Sequence, residues 1–139
     1  MRRVVMMLIV MICALPVVAQ EQDRGALARA KRQTLLVKEW KTTPDGKNKW
    51  VDHTELYDAE GRLIEEREYA DYGHYLSWRS TYEYNERGLL IKEVVYNSRG
   101  KVQKVRKFEY DSQGVCTRRY NYSPNGMLNS YRQFEYIYE

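Results

Sequence analysis

Hydrophobic and polar residues alternate along most of the chain after residue 33, and short polar breaks separate the alternating runs. The run from His74 to Tyr84 is typical, because Leu76, Trp78 and Tyr82 fall on one side of an extended chain together with Tyr84. A two-residue period is the pattern of a half-buried β-strand. Eight such runs predict eight strands. Their expected bounds are 34–42, 47–57, 62–69, 74–84, 89–96, 101–110, 115–122 and 127–138.

A glycine closes each polar break, usually four residues after a tyrosine. Asp, Asn or Ser directly after that tyrosine suits the first position of a type I turn, and the glycine supplies the positive φ that closes the hairpin. Such short connections make neighbouring strands antiparallel. The sequence therefore predicts an all-β fold, an antiparallel meander of about eight strands. The turn glycines are Gly46, Gly61, Gly73, Gly88, Gly100, Gly114 and Gly126.

Charges on both faces of the predicted strands favour an open, curved sheet over a closed barrel. In the run 101–110, Lys104 and Arg106 lie on one side and Lys107 and Glu109 on the other. A closed barrel needs a consistently apolar inner face. The alternative is a closed eight-stranded barrel that carries a small ligand.

The segment 57–64 reads Tyr-Asp-Ala-Glu-Gly-Arg-Leu-Ile. It resembles the tyrosine–aspartate (YD, Rhs-type) repeat, whose core runs Tyr-Asp-x-x-Gly-Arg-Leu, and weaker copies lie at 84–90 and 110–114. The resemblance implies an array of β-hairpins and carries no catalytic residue to this chain. The chain is also similar to small exported β-repeat proteins of unknown function from Bacteroidota.

The first nineteen residues have the pattern of a secretory signal peptide. Arg2 and Arg3 precede an uncharged apolar run, and a small residue, Ala19, occupies the cleavage position. The apolar run is about twelve residues long, too short for a helix to span a ~30 Å bilayer. We expect cleavage after Ala19, export to the periplasm or the extracellular surface, and no integral membrane span in the mature chain. Lipid attachment at Cys13 is disfavoured, because Ile12 is not the small residue that it needs.

The rest of the chain divides into residues 20–33, a leader with a short helix or loose structure, and residues 34–139, the β-hairpin repeat domain. Cleavage after residue 19 leaves 21 basic and 19 acidic residues, a net charge of +2. That balance, without any block of five like charges, predicts that the protein does not bind nucleic acid. Cys116 is then the only cysteine, so we expect no internal disulfide and a buried thiol.

Candidate catalytic chemistry is sparse. His53 and His74 are the only histidines, and both are expected at the surface. No spaced set of Cys and His ligands supports zinc, and no nucleophile elbow is present. The sequence predicts no enzyme, no cofactor and no metal. An enzyme becomes plausible only if folding gathers a histidine with carboxylates.

Aromatic residues are the strongest candidates for function. The chain has 13 Tyr, 3 Trp and 2 Phe. Such side chains stabilise sheets through cross-strand packing, and they also provide platforms for sugar rings or protein partners. The candidate binding surface comprises Trp40, Trp50, Tyr72, Tyr75 and Trp78. We interpret the protein as an exported non-enzymatic module that binds a protein partner or a polysaccharide.

The final predicted strand, 127–138, is long and nearly uncharged, and it would form an edge of an open sheet. An exposed edge strand can pair with another chain. We therefore expect homo-oligomerisation or partner binding there. The candidate edge residues are Tyr131, Phe134, Tyr136 and Tyr138.

Overall fold

The computed structural model describes residues 23–139, which form one helix and one eight-stranded sheet. The predicted signal peptide and its cleavage site lie outside the described residues. Strands follow one another in chain order, and each is antiparallel to its neighbours. The elements are α1 (Arg24–Lys31), β1 (Leu35–Thr42), β2 (Lys49–Tyr57), β3 (Leu63–Ala70), β4 (Tyr75–Tyr84), β5 (Leu90–Asn97), β6 (Val102–Tyr110), β7 (Cys116–Tyr122) and β8 (Leu128–Gln133).

The sheet is open, and β1 and β8 are its two edges. This confirms the antiparallel meander. It overturns the closed-barrel alternative and, with it, a carrier that encloses a ligand inside the barrel. Seven predicted strands have ends within two residues of those observed. The eighth was expected to reach Tyr138, but β8 ends at Gln133, although Phe134 N–H still donates to the Thr117 carbonyl at 2.9 Å.

The turns have the local chemistry that the sequence predicts. Asp58 Oδ1 accepts from the backbone amides of Glu60 and Arg62, at 3.1 and 2.9 Å, so the side chain holds both limbs of the turn. Burial alone would raise the pKa of Asp58, but these bonds and the Arg62 guanidinium hold it below its usual value. Two amides are bound in the same way at Asn85, Asn97 and Asp111.

The turn at Gly73 does not copy the others, although the sequence frames it as Tyr69-Ala70-Asp71-Tyr72-Gly73. Its strand continues through Ala70, and His74 N–H donates to the Asp71 carbonyl at 3.0 Å. Three successive residues have positive φ: 48° at Asp71, 55° at Tyr72 and 82° at Gly73. The expectation of type I geometry is therefore wrong at this turn. Three successive residues with left-handed backbone reverse the chain direction instead.

Each hairpin also contains a β-bulge that the sequence pattern did not predict. In five of the seven, the extra residue lies three positions after the turn glycine, as at Ile64 and Ile91. A one-residue shift sends the side chains on the two sides of the bulge to opposite faces. Leu76 therefore lies on the opposite face from Trp78, contrary to the simple alternation along β4.

Where the bulge lies three positions after the turn glycine, it places an apolar residue directly opposite the tyrosine that precedes the turn. Leu63 pairs with Tyr57, and Leu90 pairs with Tyr84. Cross-strand pairs between aromatic and aliphatic side chains stabilise antiparallel sheets. The repeat is therefore a hairpin closed at its turn end by an aromatic–apolar pair.

The sheet forms a single layer, with little core. Within residues 23–139 the buried hydrophobic residues are Ala28 and Val94, and no large side chain is fully buried. Cross-strand pairing and backbone hydrogen bonds therefore contribute most of the stabilisation. Cys116 is half-buried, so the expected buried thiol is only partly covered.

The helix α1 covers one face of the sheet near β2. Asp23 caps it by accepting from Ala26 N–H at 3.1 Å, and Arg24 bonds Glu39 and Glu55, each at 2.7 Å. Eight residues are too few for an independent helix, so these contacts hold it in place. The face of the sheet that carries Glu39 and Glu55 is called the α1 face below.

Gly25 of α1 and Gly61 of the Asp58–Gly61 turn approach each other closely, and this contact packs α1 against that turn. A β-carbon at Gly25 would lie 2.3 Å from the Gly61 carbonyl oxygen, and one at Gly61 equally near the Gly25 oxygen. Neither position can hold a side chain without moving the helix.

Candidate functional site

A β-bulge at Asp52 determines where the tryptophans of the first hairpin lie. Glu39 pairs with His53, but the next residue, Trp40, pairs with Val51, so Asp52 has no partner of its own. Because of this single extra residue, the side chains of β2 before Asp52 lie on the face opposite to the one that simple alternation predicts.

The predicted aromatic surface is divided as a result. The bulge brings Trp50 to the α1 face, whereas Trp40 lies on the opposite face with Lys49 Nζ 4.6 Å from its ring centroid. Simple alternation would have put Trp50 on the same side as Thr54. Trp40 and Trp50 therefore cannot contact one ligand from the same side of the sheet.

Trp50 and Tyr72 form an aromatic cradle. Their ring centroids are 4.9 Å apart with an interplanar angle of 75°, an edge-to-face contact. The turn carrying Tyr72 lies so close to β2 that a β-carbon at Gly73 would be 3.1 Å from the Val51 carbonyl oxygen. Beside the two rings is a cavity of about 520 Å³. Its lining residues are Thr43, Asn48, Lys49, Trp50, Tyr72 and His74.

The cradle includes strained backbone. A left-handed conformation at a non-glycine residue is uncommon, and it is most unfavourable for bulky side chains such as Tyr72. Such conformations persist where surrounding contacts enforce them, and they concentrate at ligand sites. Trp50 provides such a contact, while 66% of Tyr72 stays exposed to solvent.

The other two predicted surface residues lie apart from the cradle contact. Tyr75 begins β4 and is 64% exposed. Trp78 is half-buried, and its ring centroid lies 6.3 Å from that of His53. The structure thus brings two of the five candidates into contact, Trp50 and Tyr72.

His53 is not the surface residue that the sequence predicted. Only 15% of its side chain is exposed, and it lies among three glutamates of β2 and β3. Its Nδ1 is 2.9 Å from Glu68, and its Nε2 is 3.6 Å from Glu55 and 3.8 Å from Glu66. The cross-strand pairs His53–Glu68 and Glu55–Glu66 create this cluster, so only the register reveals it. His74, in contrast, is exposed as predicted.

Protein groups already neutralise or bind the carboxylates of this cluster. Glu55 accepts from Arg24 at 2.7 Å and from the Tyr57 hydroxyl at 2.8 Å. Burial alone would raise the pKa of Glu55, but these two partners outweigh it and hold the pKa below its ordinary value. Glu66 accepts from the Tyr82 hydroxyl. Burial and this bond raise the pKa of Tyr82, so that hydroxyl stays protonated.

The same cluster offers the one ligand set for a metal ion found among residues 23–139. Donor atoms of His53, Glu55 and Glu66 lie within 4.8 Å of one another. Their chemistry suits a divalent ion, because imidazole and carboxylate are ordinary ligands. However, Arg24 already bonds one carboxylate oxygen of Glu55, and Tyr82 bonds one of Glu66. The cluster is therefore an internal network of ion pairs and hydrogen bonds.

The C-terminal edge is exposed along its length. Tyr131 is 58% exposed, Phe134 38% and Tyr138 90%. Tyr136 lies beyond β8, yet its hydroxyl donates to the Cys116 carbonyl at 2.8 Å and fastens the tail to β7. The candidate edge residues therefore comprise one residue of β8 and three of the tail that follows it.

Comparison with known proteins yields a distant likeness. No protein-family model matches the chain, and no curated protein matches it. Among solved structures, the chain is similar to a protein of unknown function from Bacteroides fragilis, with 14% identity over 76% of this chain and 96% of that one and a TM-score of 0.26. No helix within residues 23–139 has the length and apolar character needed to cross a membrane.

Proposed function

We propose that this protein is a non-enzymatic binding module that holds a glycan in the Trp50–Tyr72 cradle. The edge-to-face pair beside a cavity of about 520 Å³ carries the proposal. Cavities of this size are typical of small-ligand sites.

The lining of the cavity fits a sugar better than a purely apolar ligand. An aromatic ring can pack against the C–H face of a pyranose, and Trp50 and Tyr72 provide two such rings. Thr43, Asn48 and His74 add polar groups that can exchange hydrogen bonds with sugar hydroxyls. Few polar groups around a ring platform give orientation and specificity.

The proposal of a non-enzymatic role rests on the His53 cluster. Arg24, Tyr57 and Tyr82 bind the carboxylates beside His53, so these groups serve the fold. A general base or nucleophile needs an unengaged group within reach of a substrate.

We also propose that the protein is exported and that its hairpins are YD-type repeats. Arg2, Arg3 and the apolar run before Ala19 support export. The Asp58–Gly61 turn supports the repeat, because its Asp binds two backbone amides and its Gly has φ of 79°. Mass spectrometry of the protein from a periplasmic or extracellular fraction should give a chain that begins at Gln20.

The binding proposal is tested by screening the purified protein against a glycan array that includes host mucin and bacterial polysaccharides. Reproducible binding to a defined set of glycans is expected. Failure to bind any glycan over the full concentration range of the array contradicts the proposal.

A further inference from the structure

The two edges of the sheet are complementary to each other, and we propose that copies of this protein associate head to tail, with β8 of one copy pairing antiparallel to β1 of the next. This inference does not depend on the glycan proposal. It rests on the distribution of exposed apolar residues, on the direction of backbone amides and on charge.

Exposed apolar side chains concentrate at the two edges. Seven of the twelve large hydrophobic residues that are exposed in residues 23–139 lie within 127–138, and two more, Leu36 and Trp40, lie on β1. An exposed edge with such side chains is a template for strand pairing, because its outward backbone groups also lack partners in the sheet.

Backbone amides indicate which residues can bond outward. Phe134 N–H donates inward to β7, so alternation turns the amides of Gln133 and Tyr131 outward. At the other edge Thr43 N–H donates inward to the Asn48 carbonyl, so the amides of Trp40 and Lys38 point outward. A shared ladder must therefore place Tyr131 and Gln133 opposite even-numbered residues of β1.

One register satisfies this rule and matches the side chains. Pairing Arg132 with Glu39 puts Tyr131 opposite Trp40 and Gln133 opposite Lys38. Opposite charges and aromatic pairs directly across antiparallel strands are stabilising. Glu39 is 45% exposed, so it can accept a second arginine besides Arg24.

The two faces of the sheet also agree in this register. Residues paired across neighbouring strands lie on the same face. Following these pairs from Glu55 through the sheet places Arg132 on the α1 face, which also carries Glu39. Tyr131 and Trp40 both lie on the opposite face. Strands alternate in direction through the sheet, so β8 and the β1 of the next copy run antiparallel when the two copies have the same orientation.

A two-fold pairing of β8 with itself does not match its charges. Opposite residues in such a pair must share a face, but Arg132 and Glu135 are three positions apart and therefore lie on opposite faces of an extended chain. Arg132 then has no acidic partner. Head-to-tail contacts are heterologous, so they give chains or rings that grow beyond two copies.

Sedimentation velocity of the purified protein over a wide concentration range tests the proposal. We expect a series of dimers, trimers and larger species. Reversal of either charge, R132E or E39R, should weaken association about fivefold to tenfold, and the double variant should restore it. R99E reverses a charge at the exposed β5–β6 turn and should leave association unchanged.

A backbone variant provides an independent readout. Gln133→Pro removes an outward amide and keeps the inward bonds to β7, so it should abolish association while the circular dichroism spectrum stays that of the parent. A monomer at all concentrations, a species that stops at two copies, or a double charge variant that fails to restore association overturns the proposal.

Discussion

The Tyr84 hydroxyl, at the end of β4, donates to the Leu63 carbonyl of the neighbouring strand β3 at 2.7 Å, between residues 21 positions apart in sequence. The same bond joins Tyr110 to Leu90 at 2.6 Å. Tyr136 repeats it a third time, with the Cys116 carbonyl as acceptor. Tyr84 and Tyr110 thus tie their own turns to the previous turn at the same end of the sheet, and Tyr136 ties the C-terminal tail to the start of β7. These bonds couple successive repeats where no packed core does so.

Tyr84→Phe should lower the free energy of unfolding by about 0.5–1.5 kcal/mol, since it removes one hydrogen bond and leaves the Leu63 carbonyl without that donor. Urea denaturation measures the change. Tyr75→Phe is the matched control, because Tyr75 is 64% exposed. Equal stabilities for the two variants would show that the Tyr84 bond contributes nothing.

Alanine at Gly61 should be more harmful than alanine at Gly100. Both glycines have positive φ, 79° and 73°, so both variants incur the left-handed backbone cost of about 1 kcal/mol. A β-carbon at Gly61 also collides with α1, whereas one at Gly100 meets open space. Urea denaturation should therefore show a larger loss for Gly61→Ala, with faster amide exchange in α1. Equal losses at both positions would mean that α1 is not held against this turn.

Stability should fall in acid because of Glu55 and Asp58. Their pKa values in the folded protein lie below the ordinary values, so the folded state favours the ionised forms. This contribution is present above the ordinary carboxyl pKa values of about 4 and is lost as the pH falls through the folded values. Urea midpoints measured from pH 6 to pH 2 should show the decline. Glu55→Gln should have a flatter profile, and an unchanged slope in that variant would contradict the assignment.

The His53 cluster should need no metal. Arg24 and Tyr82 already bind its carboxylates, so treatment with a chelator should leave the melting temperature unchanged. Addition of Zn²⁺ should likewise have no effect on it. A melting temperature that rises with Zn²⁺, and does so less in His53→Asn, would show that the cluster is a metal site.

The sequence predicted the strands and turns well because both depend on local patterns. Period-two alternation located the eight strands, and the Asp58 turn follows from residues within one pentapeptide. The β-bulges were missed, since strict alternation contains no signal for one extra residue. The sequence does contain one feature that goes with the bulges: the second residue after most turn glycines is apolar, as at Leu63 and Leu90.

The candidate site was predicted less completely, since it depends on register. The bulge at Asp52 places Trp40 and Trp50 on opposite faces, and no local sequence feature predicts this bulge. The His53 cluster likewise forms from residues of two strands. The left-handed Tyr72 arises where a packed neighbour overrides the local turn preference.

In the proposed function Trp50 is the ring platform for a glycan. The most direct measurement compares Trp50→Ala and Trp40→Ala with the parent protein on the glycan array. These variants remove the same side chain from opposite faces of one hairpin. We predict that Trp50→Ala loses binding and that Trp40→Ala keeps it. Binding that survives Trp50→Ala, or that both variants lose equally, would show that Trp50 is not the platform.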